Sequence, residues 1–247
     1  MTLFGLIGYP LTHSFSKRYF TEKFKREGIA DCRYELFELP DIQELLSVLT
    51  QNPTLKGLNV TIPHKLAVMP FLGALDASAQ KVGAVNVIKI QSDGSLKGYN
   101  SDYYGFKQSI ESWLPSQVIQ NIRGLLLGDG GATKAVKAAL TDIGIAYQTV
   151  SRQAVNGKLA YADLNEEIMA THHLIINCSP VGTYPQVNTC PDIPYQLLTP
   201  NHFLYDLVYN PDETLFMQKG ALQGAATHNG LQMLELQAEK AWEIWNQ

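Results

Sequence analysis

Along the first hundred positions, two patterns of apolar residues alternate. Short apolar runs are typical of strands, and apolar residues at wider spacing are typical of helices. Strand patterns lie at 3–8, 33–38 and 55–61, and helical patterns lie at 15–27 and 42–49. Gly28 closes the first helical pattern, and Asp41 stands at the N-cap position of the second. This order of elements predicts α/β architecture with mostly parallel strands.

A second series of the same kind follows Asp102 and predicts a second unit. Helical patterns lie at 105–114, 132–143 and 231–245, and short apolar strands lie at 123–127, 147–150, 174–177 and 203–207. Gly144 closes the second of these helices, and the last one is long and amphipathic. The sequence therefore predicts two α/β domains around a cleft.

The segment from Asn59 to Lys65 combines polar side chains with a strand end. Asn59 and Thr61 alternate with Val60, as positions on one face of a strand do. Pro63 cannot donate to a sheet and should end the strand, and Lys65 then begins a helix that is predicted to run to Leu72. The pattern predicts a strand end that presents Asn59 and Thr61 to a ligand beside a lysine. An ordinary strand-to-helix turn with a solvated lysine fits this segment equally well.

A glycine-rich turn joins the strand at 123–127 to the helix at 132–143. In this context Gly128 permits the tight turn and Gly130 allows the backbone to approach a pyrophosphate. The helix N-terminus supplies free N–H groups. The turn therefore predicts a dinucleotide site, with a plain tight loop as the alternative. Because a carboxylate repels a pyrophosphate, Asp129 is predicted to point to solvent.

The end of the following strand indicates which dinucleotide is bound. Ser151 and Arg152 stand there, and no acid is present to bind a ribose 2′-hydroxyl. An arginine suits the 2′-phosphate of NADP, although a solvated loop charge is the alternative for Arg152. NADP is therefore predicted in preference to NAD.

Composition removes several classes of function. The net charge of −4 and the absence of a basic run argue against a nucleic-acid surface. No apolar stretch approaches the ~20 residues that span a bilayer, and residues 1–5 lack the basic region of a signal peptide. The three cysteines are scattered without metal-ligand spacing. We therefore expect a cytoplasmic protein with no metal site.

Eight segments in chain order carry a family resemblance. They lie at 5–16, 59–65, 83–86, 98–102, 128–133, 177–182, 206–211 and 229–234. Single segments are weak signals, whereas the ordered set is specific, and it resembles the shikimate dehydrogenases nearly end to end. The resemblance implies an NADPH-dependent, reversible reduction of 3-dehydroshikimate to shikimate, a step toward chorismate and the aromatic amino acids.

The resemblance also implies a role for each matching residue. Lys65 and Asp102 would form the catalytic dyad, and Ser14 and Ser16 would bind the substrate carboxylate. The substrate's hydroxyls and carboxylate would be contacted by Asn59, Thr61, Asn86, Tyr209 and Gln237. The cofactor would be bound by Gly128, Asp129, Gly130, Gly131, Ala132, Ser151 and Arg152, with Leu207 and Gly230 near the nicotinamide.

These residue types suit the implied chemistry independently. Reducing a ketone with hydride develops negative charge on its oxygen, which a nearby ammonium stabilises. A polyhydroxylated acid needs many short neutral donors, which Ser, Thr and Asn provide. The expected partners are this small substrate and NADP(H), with no nucleic acid or membrane, in a monomer or homodimer.

The domain limits follow from the same assignment. Residues 1–101 with 228–247 would form the substrate-binding and catalytic domain, because Gln237 would be needed at the substrate. Residues 102–227 would form a Rossmann-like NADP-binding domain. The sequence departs from the family at Asp129, where alanine is usual, and at Asn156, where a second basic residue is common and Lys158 is a nearby substitute.

Two rival functions remain open at this point. One is an enzyme of the same fold that prefers quinate or NAD, against which Arg152 and the absent acid argue for the cofactor. The other is a non-catalytic binding protein of this fold, against which the intact pair of Lys65 and Asp102 argues.

Overall fold

The computed structural model describes residues 1–11 and 14–247, so that His13 of the N-terminal motif lies outside the described residues. The chain divides into two compact units, Met1–Tyr103 with Gln237–Gln247 and Tyr104–Leu236. The predicted α/β class is confirmed, since strands and helices alternate through both units. The limits of the units fall at 103/104 and 236/237, whereas 101/102 and 227/228 were predicted.

The first unit contains a six-stranded mixed sheet in the order β2-β1-β3-β5-β6-β4. Its strands are β1 (Thr2–Gly8), β2 (Cys32–Glu38), β3 (Leu55–Val60), β4 (Ala74–Leu75), β5 (Val87–Ile90) and β6 (Leu96–Tyr99). Its helices are α1 (Phe15–Arg26), α2 (Leu45–Gln51), α3 (His64–Ala67) and α4 (Ala77–Val82), and α5 (Ser101–Trp113) begins in this unit.

Parallel pairing holds only for part of this sheet. β1 pairs in parallel with β2 and β3, but β5 pairs antiparallel with both β3 and β6. The hairpin between β5 and β6 turns at Gly94, whose φ of 83° is in the left-handed region that glycine tolerates. β4 again pairs in parallel with β6, so the prediction of mostly parallel strands is confirmed, with β5 as the antiparallel exception.

The helix predicted from Lys65 to Leu72 is shorter than expected. α3 ends at Ala67, and a 3₁₀ turn follows at Met69–Phe71. Pro70 lies within that turn and lacks the N–H that a continuing helix would need. The strand before it ends at Val60, as Pro63 predicted.

Aromatic rings anchor the C-terminal residues to the sheet of the first unit. Trp245 stacks on Phe4 at a centroid distance of 4.8 Å and donates its indole N–H to the Ile88 carbonyl at 3.0 Å. A side chain at Gly57 would overlap the Trp245 ring. The last turns of the chain are therefore part of this unit's core.

The second unit contains a six-stranded parallel sheet in the order β12-β11-β10-β7-β8-β9. Its strands are β7 (Arg123–Leu127), β8 (Ala146–Ser151), β9 (Leu159–Ala160), β10 (Leu174–Asn177), β11 (Phe203–Asp206) and β12 (Ala226–His228). Its helices are α6 (Ser116–Ile119), α7 (Gly131–Asp142), α8 (Glu166–Thr171) and α9 (Leu215–Leu222), and α10 (Leu231–Asn246) begins there.

Contacts within the second unit explain why residues 228–236 belong to it. Gly230 donates its N–H to the Val208 carbonyl at 3.2 Å, and Gln232 accepts from the Ser109 hydroxyl at 3.0 Å. The His228 ring stacks on Trp113 at 5.1 Å. These contacts, none of which the sequence signals, hold the segment that was predicted to lie in the first domain.

Candidate active site

Lys65 and Asp102 meet in the first unit. The Lys65 Nζ lies 2.5 Å from Asp102 Oδ2, and the two side chains are 21% and 14% exposed. Lys65 is on α3 and Asp102 is in the first turn of α5, while the Lys65 carbonyl accepts the Val85 N–H at 2.8 Å. The sequence-predicted dyad is therefore an ion pair that is largely, but not fully, removed from solvent.

Asn59 is buried at the end of β3 and oriented by a tyrosine. Its Oδ1 accepts the Tyr34 hydroxyl at 2.7 Å, so the amide nitrogen points the other way, toward the Asn86 carbonyl at 3.5 Å. Burial raises the pKa of Tyr34 well above its ordinary value, and a hydrogen bond with Ser16 opposes the rise. Tyr34 remains a neutral phenol that links Asn59 to Ser16.

Asn86 and Gln237 are connected through a serine that sequence reasoning did not single out. The Asn86 Oδ1 accepts the Ser101 N–H at 2.6 Å, and its Nδ2 donates to the Ser101 hydroxyl at 3.0 Å. The Ser101 hydroxyl lies 3.3 Å from Gln237 Oε1. All three side chains are buried, and Ser101 directly precedes Asp102. The network fixes two predicted substrate contacts next to the ion pair.

The two N-terminal serines begin α1. Ser14 is the N-cap of this helix and accepts the Lys17 N–H at 3.2 Å, which leaves its hydroxyl hydrogen free to donate. The helix is joined to α10 by an ion pair between Lys23 and Glu239 at 2.7 Å. A cap role and a carboxylate-binding role are thus compatible at Ser14.

Thr61 and His64 follow β3 with different environments. Thr61 is half-buried, and its N–H donates to the Ile7 carbonyl at 2.9 Å, while its side chain packs near Gly8. His64 is buried, with its Nε2 2.6 Å from the Leu39 carbonyl. The structure thus gives His64 a packing role and leaves Thr61 accessible.

Three predicted site residues lie in the second unit, where β11 ends. Leu207 donates its N–H to the Asn177 carbonyl at 3.0 Å, and a side chain at Gly230 would overlap the Leu207 carbonyl. Only glycine fits at position 230, because the backbone of the two segments touches there. Tyr209 is half-buried in the same unit. Its predicted contact with the substrate stays a prediction, as do the nicotinamide contacts of Leu207 and Gly230.

Asp206 forms a buried polar centre beside these residues. Its carboxylate accepts the Thr214 hydroxyl at 2.6 Å, the Asn177 amide at 2.9 Å and the Val208 N–H at 3.0 Å. Burial raises its pKa to about 6 despite these hydrogen bonds. The carboxyl group thus ties the ends of β10 and β11 to α9.

The glycine turn has the geometry of an anion cradle. Gly128 has a φ of 107°, which favours glycine, and nothing lies within 4 Å of a side chain added at Gly130 or Gly131. Gly130 is the N-cap of α7 and provides no capping side chain. The first N–H groups of α7, at Gly131 and Ala132, therefore lie at the positive end of the helix dipole without a capping side chain from Gly130.

The Asp129 carboxylate contacts two lysines, whereas the sequence predicts that it points to solvent. Its Oδ1 lies 2.6 Å from the Lys137 Nζ and its Oδ2 lies 2.5 Å from the Lys158 Nζ. The hydrogen bond from Lys137 is the largest cause that holds the pKa of Asp129 below its ordinary range, and the hydrogen bond from Lys158 is the next. The charge of the carboxylate is therefore compensated by two ammonium groups.

A cavity of about 790 Å³ opens beside this turn. Residues that line it include Gly128, Asp129, Gly130, Ser151, Arg152, Tyr161, Cys178, Ser179, Pro180 and Asp192. The size is that of small-molecule and cofactor sites. Burial raises the pKa of the Cys178 thiol to about 12, which keeps it protonated and unreactive. Arg152 is exposed at the cavity and forms no salt bridge within the part of the chain that the structure describes.

Several contributors to these sites escaped the sequence reasoning. Ser101 lies within a motif that was recognised, so its position beside Asp102 could have identified it. Tyr34 lies on β2 outside every motif, and only its distance from Asn59 identifies it. Lys137 looked like an ordinary helix-surface charge, and nothing in its spacing indicates the pairing with Asp129.

Neither a metal cluster nor a membrane-spanning helix occurs in the described ranges. Within residues 1–11 and 14–247, no three His, Cys, Asp or Glu side chains are grouped so that they could bind a metal ion. The helices of the same ranges are too short or too polar to cross a bilayer.

Comparisons with known proteins agree with the motifs. Residues 6–88 match the family described as "Shikimate dehydrogenase substrate binding domain". A shikimate dehydrogenase (NADP(+)) of Methanococcus aeolicus is 35% identical over 258 residues, which cover 98% of this chain and 91% of the relative. This chain belongs to the shikimate dehydrogenase family.

Solved structures of the family have the same fold. The shikimate 5-dehydrogenase of Thermus thermophilus, in complex with NADP(H) and shikimate, superposes with a TM-score of 0.85 at 28% identity, covering 99% of this chain and 93% of that one. The enzyme of Listeria monocytogenes, in complex with shikimate and NAD, gives a TM-score of 0.87 at 28% identity, covering 100% and 92%. The family membership predicted from eight short segments is thereby confirmed.

Proposed function

We propose that this chain is an NADP-dependent shikimate dehydrogenase that catalyses the reversible reduction of 3-dehydroshikimate to shikimate, a step of aromatic amino-acid biosynthesis. The observation that carries the proposal is the ion pair of Lys65 and Asp102 at 2.5 Å, next to buried neutral amides and hydroxyls. The proposal includes a cytoplasmic location and a monomeric or homodimeric state.

The first unit would bind the substrate and supply the proton. Reduction turns a carbonyl oxygen into a hydroxyl, so that oxygen gains negative charge and one proton. The Lys65 ammonium carries hydrogens to donate, and its positive charge stabilises the developing oxyanion. Asp102 holds the Lys65 Nζ at 2.5 Å and so keeps its position during the reaction.

Neutral donors would bind the rest of the substrate. Asn59, Thr61, Asn86 and Gln237 offer amide and hydroxyl groups that match the ring hydroxyls, and Ser14 and Ser16 offer hydroxyls for the carboxylate. Asn59 and Asn86 are already oriented by their hydrogen bonds to Tyr34 and Ser101. Less ordering of these side chains would then be required on binding.

The residues at the glycine turn fit NADP. Open space at Gly130 and Gly131, together with the uncapped start of α7, suits a pyrophosphate, and Ser151 and Arg152 suit a 2′-phosphate. No acid at the end of β8 is placed to favour a free ribose 2′-hydroxyl. When bound, the cofactor supplies the hydride, and these residues would hold it in place.

A spectrophotometric assay tests the function. Purified protein with shikimate and NADP⁺ is expected to produce NADPH absorbance, with slower or no production from NAD⁺ and from quinate. Preference for quinate or for NAD⁺ would support the rival enzyme of the same fold. Absence of turnover with every combination, in a protein that is folded by circular dichroism, would overturn the enzymatic function.

A further inference from the structure

An acidic side chain lies where a negatively charged cofactor is expected to bind. Asp129 stands on the glycine turn and lines the cofactor cavity, and its two carboxylate oxygens each bind a lysine. Lys137 comes from the second turn of α7, whereas Lys158 directly precedes β9. The three side chains are only 25–31% exposed, so the cluster is partly shielded from solvent.

Lys158 lies close to the strand end where a 2′-phosphate is expected. β9 pairs with β8 so that Leu159 is opposite Val150 and Ala160 is opposite Ser151. The Val150 carbonyl accepts the Gly128 N–H at 2.8 Å, which brings the glycine turn to the same strand end. Lys158 and Arg152 therefore stand at the two ends of the short loop that joins β8 to β9. Arg152 lines the cavity, and Lys158 reaches the glycine turn through its hydrogen bond to Asp129.

The charges at this point set up a competition. Lys158 is a second basic side chain close to the strand end that carries Arg152. In the structure its ammonium is engaged by Asp129, while Arg152 has no salt-bridge partner within the described residues. A phosphate that approaches Lys158 must displace the Asp129 carboxylate from the ammonium or share the ammonium with it. The phosphate and the carboxylate are both anions and repel each other.

We propose that Asp129 is a specificity-determining residue that competes with the cofactor's 2′-phosphate for Lys158 and thereby weakens the preference for NADP over NAD. The inference rests on the proposed use of NADP. Lys137 keeps the carboxylate compensated when Lys158 turns to a phosphate, so NADP binding is weakened but not prevented. This chain thus has a second basic residue for the 2′-phosphate, Lys158, but its ammonium is paired with the Asp129 carboxylate.

Calorimetric binding of cofactor fragments tests this competition without relying on turnover. The probes are adenosine 2′,5′-bisphosphate, which carries the 2′-phosphate, and adenosine 5′-monophosphate, which lacks it. Asp129→Ala is expected to tighten the bisphosphate by about threefold to fivefold, the scale of one partly exposed ion pair, and to change the monophosphate by less than about twofold. Lys158→Ala is expected to weaken the bisphosphate by a similar factor.

The double variant separates competition from other effects. In the Lys158→Ala background, Asp129→Ala is expected to bring less than half of the gain, because the contested lysine is missing. Asp192→Ala is the matched control, since it removes a carboxylate from the same cavity but from a residue that forms no salt bridge within the described residues. Its gain is expected to be smaller than that of Asp129→Ala.

Three results would overturn the inference. They are weaker bisphosphate binding by Asp129→Ala, an equal gain in both lysine backgrounds, and an equal gain from Asp192→Ala. Weaker binding would mean that Asp129 delivers Lys158 to the phosphate instead of competing for it. A failure of the enzymatic function would appear separately, as absence of shikimate oxidation while the two probes still bind.

Discussion

The two units differ in the charge of the polar groups at their candidate sites. Around the ion pair of Lys65 and Asp102, the first unit buries neutral amides and hydroxyls that bind one another. Around the glycine turn, the second unit has an uncapped helix start and a cluster of charges at Asp129, Lys137 and Lys158. A neutral polyol ring calls for fixed hydrogen-bond geometry, whereas a multiply charged cofactor calls for counter-charges that can rearrange. The comparison predicts different responses to mutation, pH and salt.

The largest effect is expected at the single ion pair of the first unit's site. Lys65→Ala should lower kcat for shikimate oxidation by about a thousandfold or more, because both the charge and the donor at the reacting oxygen are lost. Cofactor binding, measured by calorimetry, should stay within about twofold of the wild type because the glycine turn is untouched. Lys56→Ala, an exposed lysine on the neighbouring β3, is the control and should keep activity. Full activity of Lys65→Ala would contradict the proposed mechanism.

The buried carboxyl of the second unit tests how its interior tolerates charge. The pKa of Asp206 is about 6 in the folded protein against an ordinary value of 3.8, so the folded state binds the proton more tightly. Stability should therefore fall as pH rises from about 4 to about 6 and level off above, a loss of about 3 kcal/mol from this group. Asp206→Asn removes this contribution.

Urea unfolding at several pH values measures the contribution of Asp206 to the free energy of unfolding. The difference in free energy of unfolding between wild type and Asp206→Asn should change by about 3 kcal/mol between about pH 4 and pH 7, in favour of the variant at the higher pH. A difference that is constant over this range would show that Asp206 ionises as an ordinary surface acid does, contrary to its burial.

Arg152 should matter for NADP⁺, which carries a 2′-phosphate, and much less for NAD⁺, which does not. Arg152→Ala is expected to weaken NADP⁺ binding about tenfold and NAD⁺ binding by less than about twofold, since an exposed charge-assisted contact to phosphate is lost. The wild-type preference for NADP⁺ should also shrink as salt is raised. Arg123→Ala, at the opposite end of β7 from the glycine turn, is the matched control. Equal losses for both nucleotides would remove Arg152 from the 2′-phosphate site.

The smallest effect should follow from loosening the neutral network. Tyr34→Phe removes the hydroxyl that orients Asn59, and the KM for shikimate should rise about fivefold while kcat changes little. This increase should not depend on salt, because no charge is involved. The test is a pair of KM measurements at low and high ionic strength. A change in KM that depends on salt would contradict the proposed difference between the neutral network of the first unit and the charged cluster of the second.

Much of the fold and site could be predicted from local patterns. Strand ends, caps and glycine turns act over a few residues, so β7, β10 and the N-cap at Asp41 lie where the sequence predicts them. The α/β class followed from the order of these elements.

What the sequence did not yield depends on contacts between distant residues. The antiparallel β5, the pairing of Asp129 with Lys158 across 29 positions and the bond from Tyr34 to Asn59 across 25 arise only when the chain is folded. Charge and hydrogen-bond partners carry no periodic signal, so a lysine on a helix surface looks the same whether it is solvated or paired.

The discontinuous first unit has a consequence for the order of events during synthesis. Gln237 and Trp245 complete its network and its core, yet they emerge from the ribosome after the whole of the second unit. The second unit is continuous in sequence, whereas the core of the first unit is incomplete until the Trp245 ring packs on Phe4. The first unit therefore completes its buried network and its aromatic core only after Gln237 and Trp245 have been synthesised.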